Sequence, residues 1–186
     1  KMKRVKKIVS AFVVAALMVT TIPTMAFAEE QGTYEVDAEW YNFRNNPENN
    51  GVTDRPTPIE TVETVQKWAN KYGEGWAAAP TPPLVLNGKL YIGSGNQVIE
   101  LDKENGNELR RSDAMIGNVG FAMNPLTYAD GKLFAQVGNG VIQAIDLKTL
   151  KCVWYTEKLG GQTLCPISHT TIDGKGYIYS GTWKSE

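Results

Sequence analysis

One hairpin signature, written three times at a spacing of 43 residues, constrains this chain more than anything else in its 186 residues. The glycine of a tight turn recurs as Gly88, Gly131 and Gly174, and Lys89, Lys132 and Lys175 follow it. Tyr91, Phe134 and Tyr177 keep an aromatic column, while Gly95, Gly138 and Gly181 keep a second glycine column. Asn87, Asp130 and Asp173 precede the first glycine of each copy. Asn-Gly and Asp-Gly pairs supply the positive φ angles that two-residue hairpin turns require. The flanks alternate, so that in "GKLYIGSG" Leu90 and Ile92 point to one face and Tyr91 to the other. "QVIELD" or "VIQAID" comes next as a third strand, then a turn and a fourth strand ending at Arg110 or Trp154. A β-sandwich has no reason to hold such a period, whereas four short strands every 40 to 45 residues or so are the mark of a β-propeller blade.

Tryptophan sets the phase of the repeat. Trp154 lies 20 residues before Gly174 and Trp68 lies 20 before Gly88, so the two are separated by 86 residues, twice the period. Trp68 therefore falls at the last-strand position of a blade whose earlier strands do not precede it. That register predicts a strand from about Val65 to Tyr72, although "IETVETVQKWANKYG" also carries apolar residues at spacings a helix accepts. A lone N-terminal strand of this kind closes the final blade of a ring. The expected architecture is all-β: an open arc of two four-stranded antiparallel blades, an N-terminal closing strand and the start of a third blade. The repeats fall at about 80–122, 123–164 and 165–186, within a propeller region of 59–186. Such a fragment leaves apolar faces and strand edges uncovered.

The other end of the chain reads as an export signal. Lys1, Lys3, Arg4, Lys6 and Lys7 head an uncharged apolar run that ends in Ala26-Phe27-Ala28, a small-x-small cleavage site. Residues 1–28 are thus expected to be removed after Ala28, and 29–58 form a lead-in to the propeller. Pro23 and the cleavage site argue against a retained membrane anchor, and no Cys stands there to accept a lipid. What remains carries 14 basic and 20 acidic residues, a net charge of −6 without a Lys/Arg cluster. Nucleic acid and anionic membrane surfaces are poor partners for such a chain. Cys152 and Cys165 are the only cysteines; in an oxidising compartment they pair, or else they serve as small buried apolar residues.

At "AIDLKTLKCVW", Ala144, Asp146, Thr149, Lys151 and Trp154 resemble the A-x-D-x-x-T-G-K-x-x-W docking motif of the pyrroloquinoline quinone (PQQ)-like β-propeller repeats. The resemblance implies that the Trp packs on a neighbouring blade while the Asp and Thr cap turns. Leu150 stands where the motif has glycine. The preceding copy, "ELDKENGNELR", keeps Asp102 and Gly106 but has Glu100, Asn105 and Arg110 where Ala, Thr and Trp are usual. A long arginine stem covers part of what an indole would cover. Trp40, Phe43 and Arg44 are similar to the W-x-x-F-R segment that leads into such propellers. The family includes quinone-dependent alcohol dehydrogenases, an outer-membrane assembly lipoprotein and exported proteins with no known cofactor.

No residue stands out as a catalytic, cofactor-binding or metal-binding candidate. His169 is the only histidine and reads as an ordinary strand residue, since triads and most transition-metal sites need further His or Cys. Gly93-Ser94-Gly95 and Gly138-Asn139-Gly140 would need a following helix to hold phosphate, and a strand follows instead. Asp102 and Asp146 sit at equivalent repeat positions, which points to a structural role. The Asn-rich stretch around Asn49 reads as a loop. The dehydrogenase resemblance implies calcium ligands, a stacking Trp and often a vicinal disulfide. Cys152 and Cys165 are not vicinal, and sequence does not place Trp76 or Trp183 in a channel. The expected function is a non-catalytic binding or scaffolding propeller without cofactor, secreted or at the cell envelope. Its partner would be a protein or envelope component, with no membrane span after cleavage. The alternative is the N-terminal part of a PQQ- and calcium-dependent dehydrogenase.

Overall fold

All three Asn-Gly or Asp-Gly pairs make the turn their chemistry favours. Asn87 and Gly88 have φ of 52° and 67°, Asp130 and Gly131 49° and 72°, and Asp173 and Gly174 51° and 73°, the paired left-handed conformation of a type I′ hairpin. The structure, a computed structural model, describes residues 35–46, 48, 50–56, 64–117, 123–162 and 165–183. The chain divides into Lys1–Thr33 and Tyr34–Glu186. The expected signal segment lies outside the described residues.

Around the first turn the strands β2 (Leu84–Leu86), β3 (Lys89–Ser94), β4 (Gln97–Asp102) and β5 (Glu108–Arg111) form an antiparallel blade. A lead-in strand, β1 (Ala38–Trp40), pairs with β2 and makes the sheet five-stranded. The second blade is β6 (Thr127–Ala129), β7 (Lys132–Val137), β8 (Val141–Asp146) and β9 (Cys152–Tyr155). A hairpin of β10 (Ser168–Ile172) and β11 (Lys175–Tyr179) follows at the place of a third blade. These sheets are a partial β-propeller, with the blades where the period sets them.

The fourth strand of each whole blade ends in the same way. Ser112 and Thr156 each donate a backbone N–H to the third strand, to Val98 and Ile142 at 2.8 and 2.9 Å. Their hydroxyls accept the amides of those same residues at 2.9 and 3.0 Å. A side-chain oxygen thus completes the last rung where the backbone turns away.

Alternation along the strands sorts apolar side chains into layers between blades. Leu84, Leu86, Tyr91 and Val98 of the first blade pack with Leu126, Leu133, Ile145 and Leu150 of the second, all of them buried. On the other face of the second blade, Phe134, Ile142 and Ala144 meet Ile167 and Ile178. On the leading face of the first blade, Ile92, Ile99 and Leu101 pack with Leu90 and with Tyr72. Full burial of side chains this size is worth roughly 1.5–3 kcal/mol each, so the contact layers between blades, rather than any one blade, hold the arc together.

The segment from Val65 to Tyr72 departs from expectation, for it forms no strand. Among the described residues no strand pairs with it, so it has no ladder to join. Its side chains hold it instead. The Trp68 ring sits against Gly106, where an added Cβ would come within 2.5 Å of the indole, and Nε1 donates to the Lys103 carbonyl at 3.0 Å. The Tyr72 hydroxyl donates to the Gly106 carbonyl. Trp68 thus stands at its place in the period, but the strand expected around it does not form.

Candidate functional site

Between the first and second blades opens a cleft of about 380 Å³ lined by Asn87, Lys89, Tyr91, Arg110, Leu147 and Lys148. Strand alternation places Lys89 and Tyr91 on one face of β3, and the facing strand sets Glu100 directly opposite Tyr91. Glu100 is 1% exposed and would be prohibitive there without partners. Lys89 Nζ donates to it at 2.7 Å, and Arg110 donates through both Nε, at 2.9 Å, and Nη2. Arg110 also reaches across to the second blade, donating from Nη1 to the Lys148 carbonyl and from Nη2 to the Leu147 carbonyl at 3.4 Å.

Electrostatics here favour fixed charge. Burial pushes the Glu100 carboxyl up, but the hydrogen bonds and charges of Lys89 and Arg110 outweigh it, so its pKa lies below the ordinary 4.5. Burial, then the Glu100 charge, push the Tyr91 phenol upward. The hydrogen bond to Glu100 raises Arg110 against a smaller opposing effect of burial. A phenol held protonated and a carboxylate held ionised are poor exchangers of protons at neutral pH. The arrangement can bind and hold.

The other candidate residues are also engaged in structure. Asp146 Oδ1 accepts from the amide and hydroxyl of Thr149, each at 2.7 Å. Burial raises this carboxyl and those bonds more than offset it, so its pKa is lowered. Asp102 accepts from the Glu104 amide at 2.7 Å and from Asn105 Nδ2 at 3.0 Å. His169 stacks on Phe134 with ring centroids 6.4 Å apart and faces Asp130 Oδ2 at 3.2 Å, joining β10 to the second blade. Gly176 stands where the earlier copies have Leu90 and Leu133, and a Cβ there would lie 2.6 Å from that same Asp130 oxygen. Ser94 closes β3 and donates to the Ala78 carbonyl at 2.9 Å. Gly138-Asn139-Gly140 is a short 3₁₀ turn into β8. Trp76 and Trp183 are 83% and 58% exposed, and Asn49 lies outside the described residues. Among the described residues no three His, Cys, Asp or Glu side chains gather as a metal-holding group, and no helix is long and apolar enough to cross a membrane.

One expectation is corrected. Cys152 and Cys165 are free thiols, and both are exposed rather than buried. Cys152 begins the outermost strand of its blade, where no further strand covers it among the described residues. Trp154, 38% exposed, meets Phe134 of its own blade with centroids 5.9 Å apart, on the face that also packs Ile167 and Ile178 of the following unit. Nothing in the sequence pattern flagged the carbonyl contacts of Arg110. The signal that was available was the joint departure of Arg110 and Leu150 from the motif.

Quinohemoprotein alcohol dehydrogenase from Comamonas testosteroni superposes with a TM-score of 0.53 at 19% identity, over 77% of this chain and 23% of that one. Quinohemoprotein alcohol dehydrogenase ADHIIG from Pseudomonas putida HK5 gives 0.50 at 17% identity, over 76% and 22%. BamB from Moraxella catarrhalis gives 0.40 at 14% identity, over 61% and 36%. The chain spans under a quarter of the length of either dehydrogenase. At these identities the shared feature is the fold. No protein-family model and no curated protein matches the sequence.

Proposed function

We propose that the chain belongs to an exported PQQ-like propeller that works as a non-catalytic binding or scaffolding surface, at the cell envelope or outside the cell, with a protein or envelope component as partner. The observation that carries this reading is the engagement of the candidate acids and the lone histidine: Asp102 and Asp146 cap turns, Glu100 anchors a joint, and His169 bridges to Asp130. Rigid blades displaying hairpin loops suit partner binding. Fold alone does not assign activity.

A second reading is a PQQ- and calcium-dependent dehydrogenase whose site comes mainly from outside the described residues. The likeness to the quinohemoprotein dehydrogenases favours it. Titration of the full-length exported protein with PQQ and calcium, followed by quinone absorbance and dye-linked alcohol oxidation, separates the two. Absence of binding by folded protein supports the scaffold; saturable binding with turnover overturns it.

A further inference from the structure

In this repeat the residue at the tryptophan position docks on the turn that follows the third strand of the next unit, and the structure holds two such docks side by side. In the first, the Trp68 indole lies on Gly106 and donates to the carbonyl of Lys103, the residue after the turn's Asp102. In the second, the docking residue is Arg110. Its guanidinium donates to the carbonyl of Leu147, which follows Asp146 and is therefore the same carbonyl one repeat later, and also to that of Lys148. The position under the ring has changed too. Gly106, with φ of 72°, is matched by Leu150, with φ of 55°. Leucine adopts that left-handed conformation rarely, at a cost of about 1 kcal/mol or more.

Leu150 compensates for its strain by burial. It is 2% exposed and belongs to the core shared by the first two blades. A Cβ at this position is incompatible with an indole seated as Trp68 is, because the equivalent atom on Gly106 would overlap the ring at 2.5 Å. The guanidinium approaches the turn through its carbonyl oxygens, which leaves the space above the turn to leucine. Glu100, which occupies the motif's alanine position, supplies the counter-charge that fixes the guanidinium. The groups facing Glu100 are Lys89 and Tyr91 from β3 and Arg110 from β5, with Lys148 lining the cleft across from them. Lys151 of the same turn pairs with Asp113 of the connector at 2.9 Å, so a second ion pair spans the joint.

We infer that Glu100, Arg110 and Leu150 are one co-adapted substitution, which converts the joint between the first two blades from an apolar indole dock into a charge-held seam that loosens selectively in acid or high salt. This inference is independent of the proposed function.

The test is a double-mutant cycle on the full-length chain in which Arg110→Trp made together with Glu100→Ala is one change, Leu150→Gly the other, and the two are then combined, read as thermal midpoints at pH 7 and pH 4 and in low and 1 M salt. Each single change is expected to lower Tm by about 3–6 °C. The pair should recover at least half of the summed loss and should be less sensitive to acid and salt than the parent. An additive pair, or one as sensitive as the parent, overturns the inference. If Arg110→Trp with Glu100→Ala does not fold, Arg110→Met decides. It keeps the stem and removes the donors, so a lower Tm with blunted salt dependence supports the seam, and a Tm and salt response like the parent's reject it.

Discussion

The two ends of the arc are built from equivalent strands and finished differently. On the leading face of the first blade, Ile99 and Leu101 are 0% and 1% exposed, with the segment carrying Trp68 and Tyr72 laid beside them. On the trailing face of the β10–β11 hairpin, Ile172, Tyr177 and Tyr179 are 48%, 43% and 54% exposed. Tyr177 is the third member of the column whose earlier members, Tyr91 and Phe134, are 3% and 5% exposed. Burial in this column is thus conferred by the neighbour and not by the residue. One extended segment with an aromatic on a glycine suffices to close a blade face without a strand ladder.

The sharpest way to break this comparison is Gly106→Ala. The new Cβ overlaps Trp68 and the position has φ of 72°, so stability should fall by about 3 kcal/mol in denaturant unfolding. A loss under about 1 kcal/mol would mean that the indole does not seal the face. Trp68→Ala removes the same cover without the backbone strain. Because the ring is only half-buried, about 2 kcal/mol is expected, with a rise in binding of an apolar dye to the leading face.

Next in size is the acid limb. Glu100 has a lowered pKa in the folded state, so its contribution is fully present above the ordinary carboxylate value and is lost as pH falls through the lowered one. Tm measured from pH 6 to pH 3 should drop on that limb, by an amount limited by solvent screening because Arg110 and Lys89 are 40% and 42% exposed. Glu100→Gln should be less stable at pH 6 and flatter below pH 4; an unchanged profile contradicts the assignment. The smallest effect is on the trailing face of the β10–β11 hairpin. Tyr177→Ser with Tyr179→Ser should change stability by less than about 0.5 kcal/mol and reduce concentration-dependent association in sedimentation. A loss as large as that of Trp68→Ala would show the trailing face to be covered in solution.

What the sequence made legible was whatever depends on neighbours in the chain. The three turn pairs, the alternation around Tyr91 and the acid caps at Asp102 and Asp146 are local chemistry, and the structure has them where the residues stand. The repeat carried the reading one step further, to the place of Trp68 in the period, because periodicity is a long-range signal. Contacts between units left weaker traces. Ala38–Trp40 is too short to show a strand pattern and pairs only because β2 offers an edge. Gly176 reads as one more turn glycine until Asp130 is seen against it. Ser112 and Thr156 look like loop hydroxyls although they complete sheet rungs. At the cleft, Arg110 and Leu150 read as two separate blemishes in a motif, whereas the structure sets them on one turn.

The pairing of β1 bears on the order of folding. Each blade assembles from hairpins closed by two-residue turns, contacts that cost little loop entropy and form in microseconds. The lead-in strand must instead find an edge far along the chain. The Asp37 amide donates to Asn87 Oδ1, 50 residues away, and the Tyr41 carbonyl accepts from the amide of Tyr128 in the second blade at 2.7 Å. Contacts of such separation slow a folding reaction and come after local ones. The lead-in is therefore expected to seat after the two-residue hairpins have closed, as a clasp that reaches from the first blade to the second.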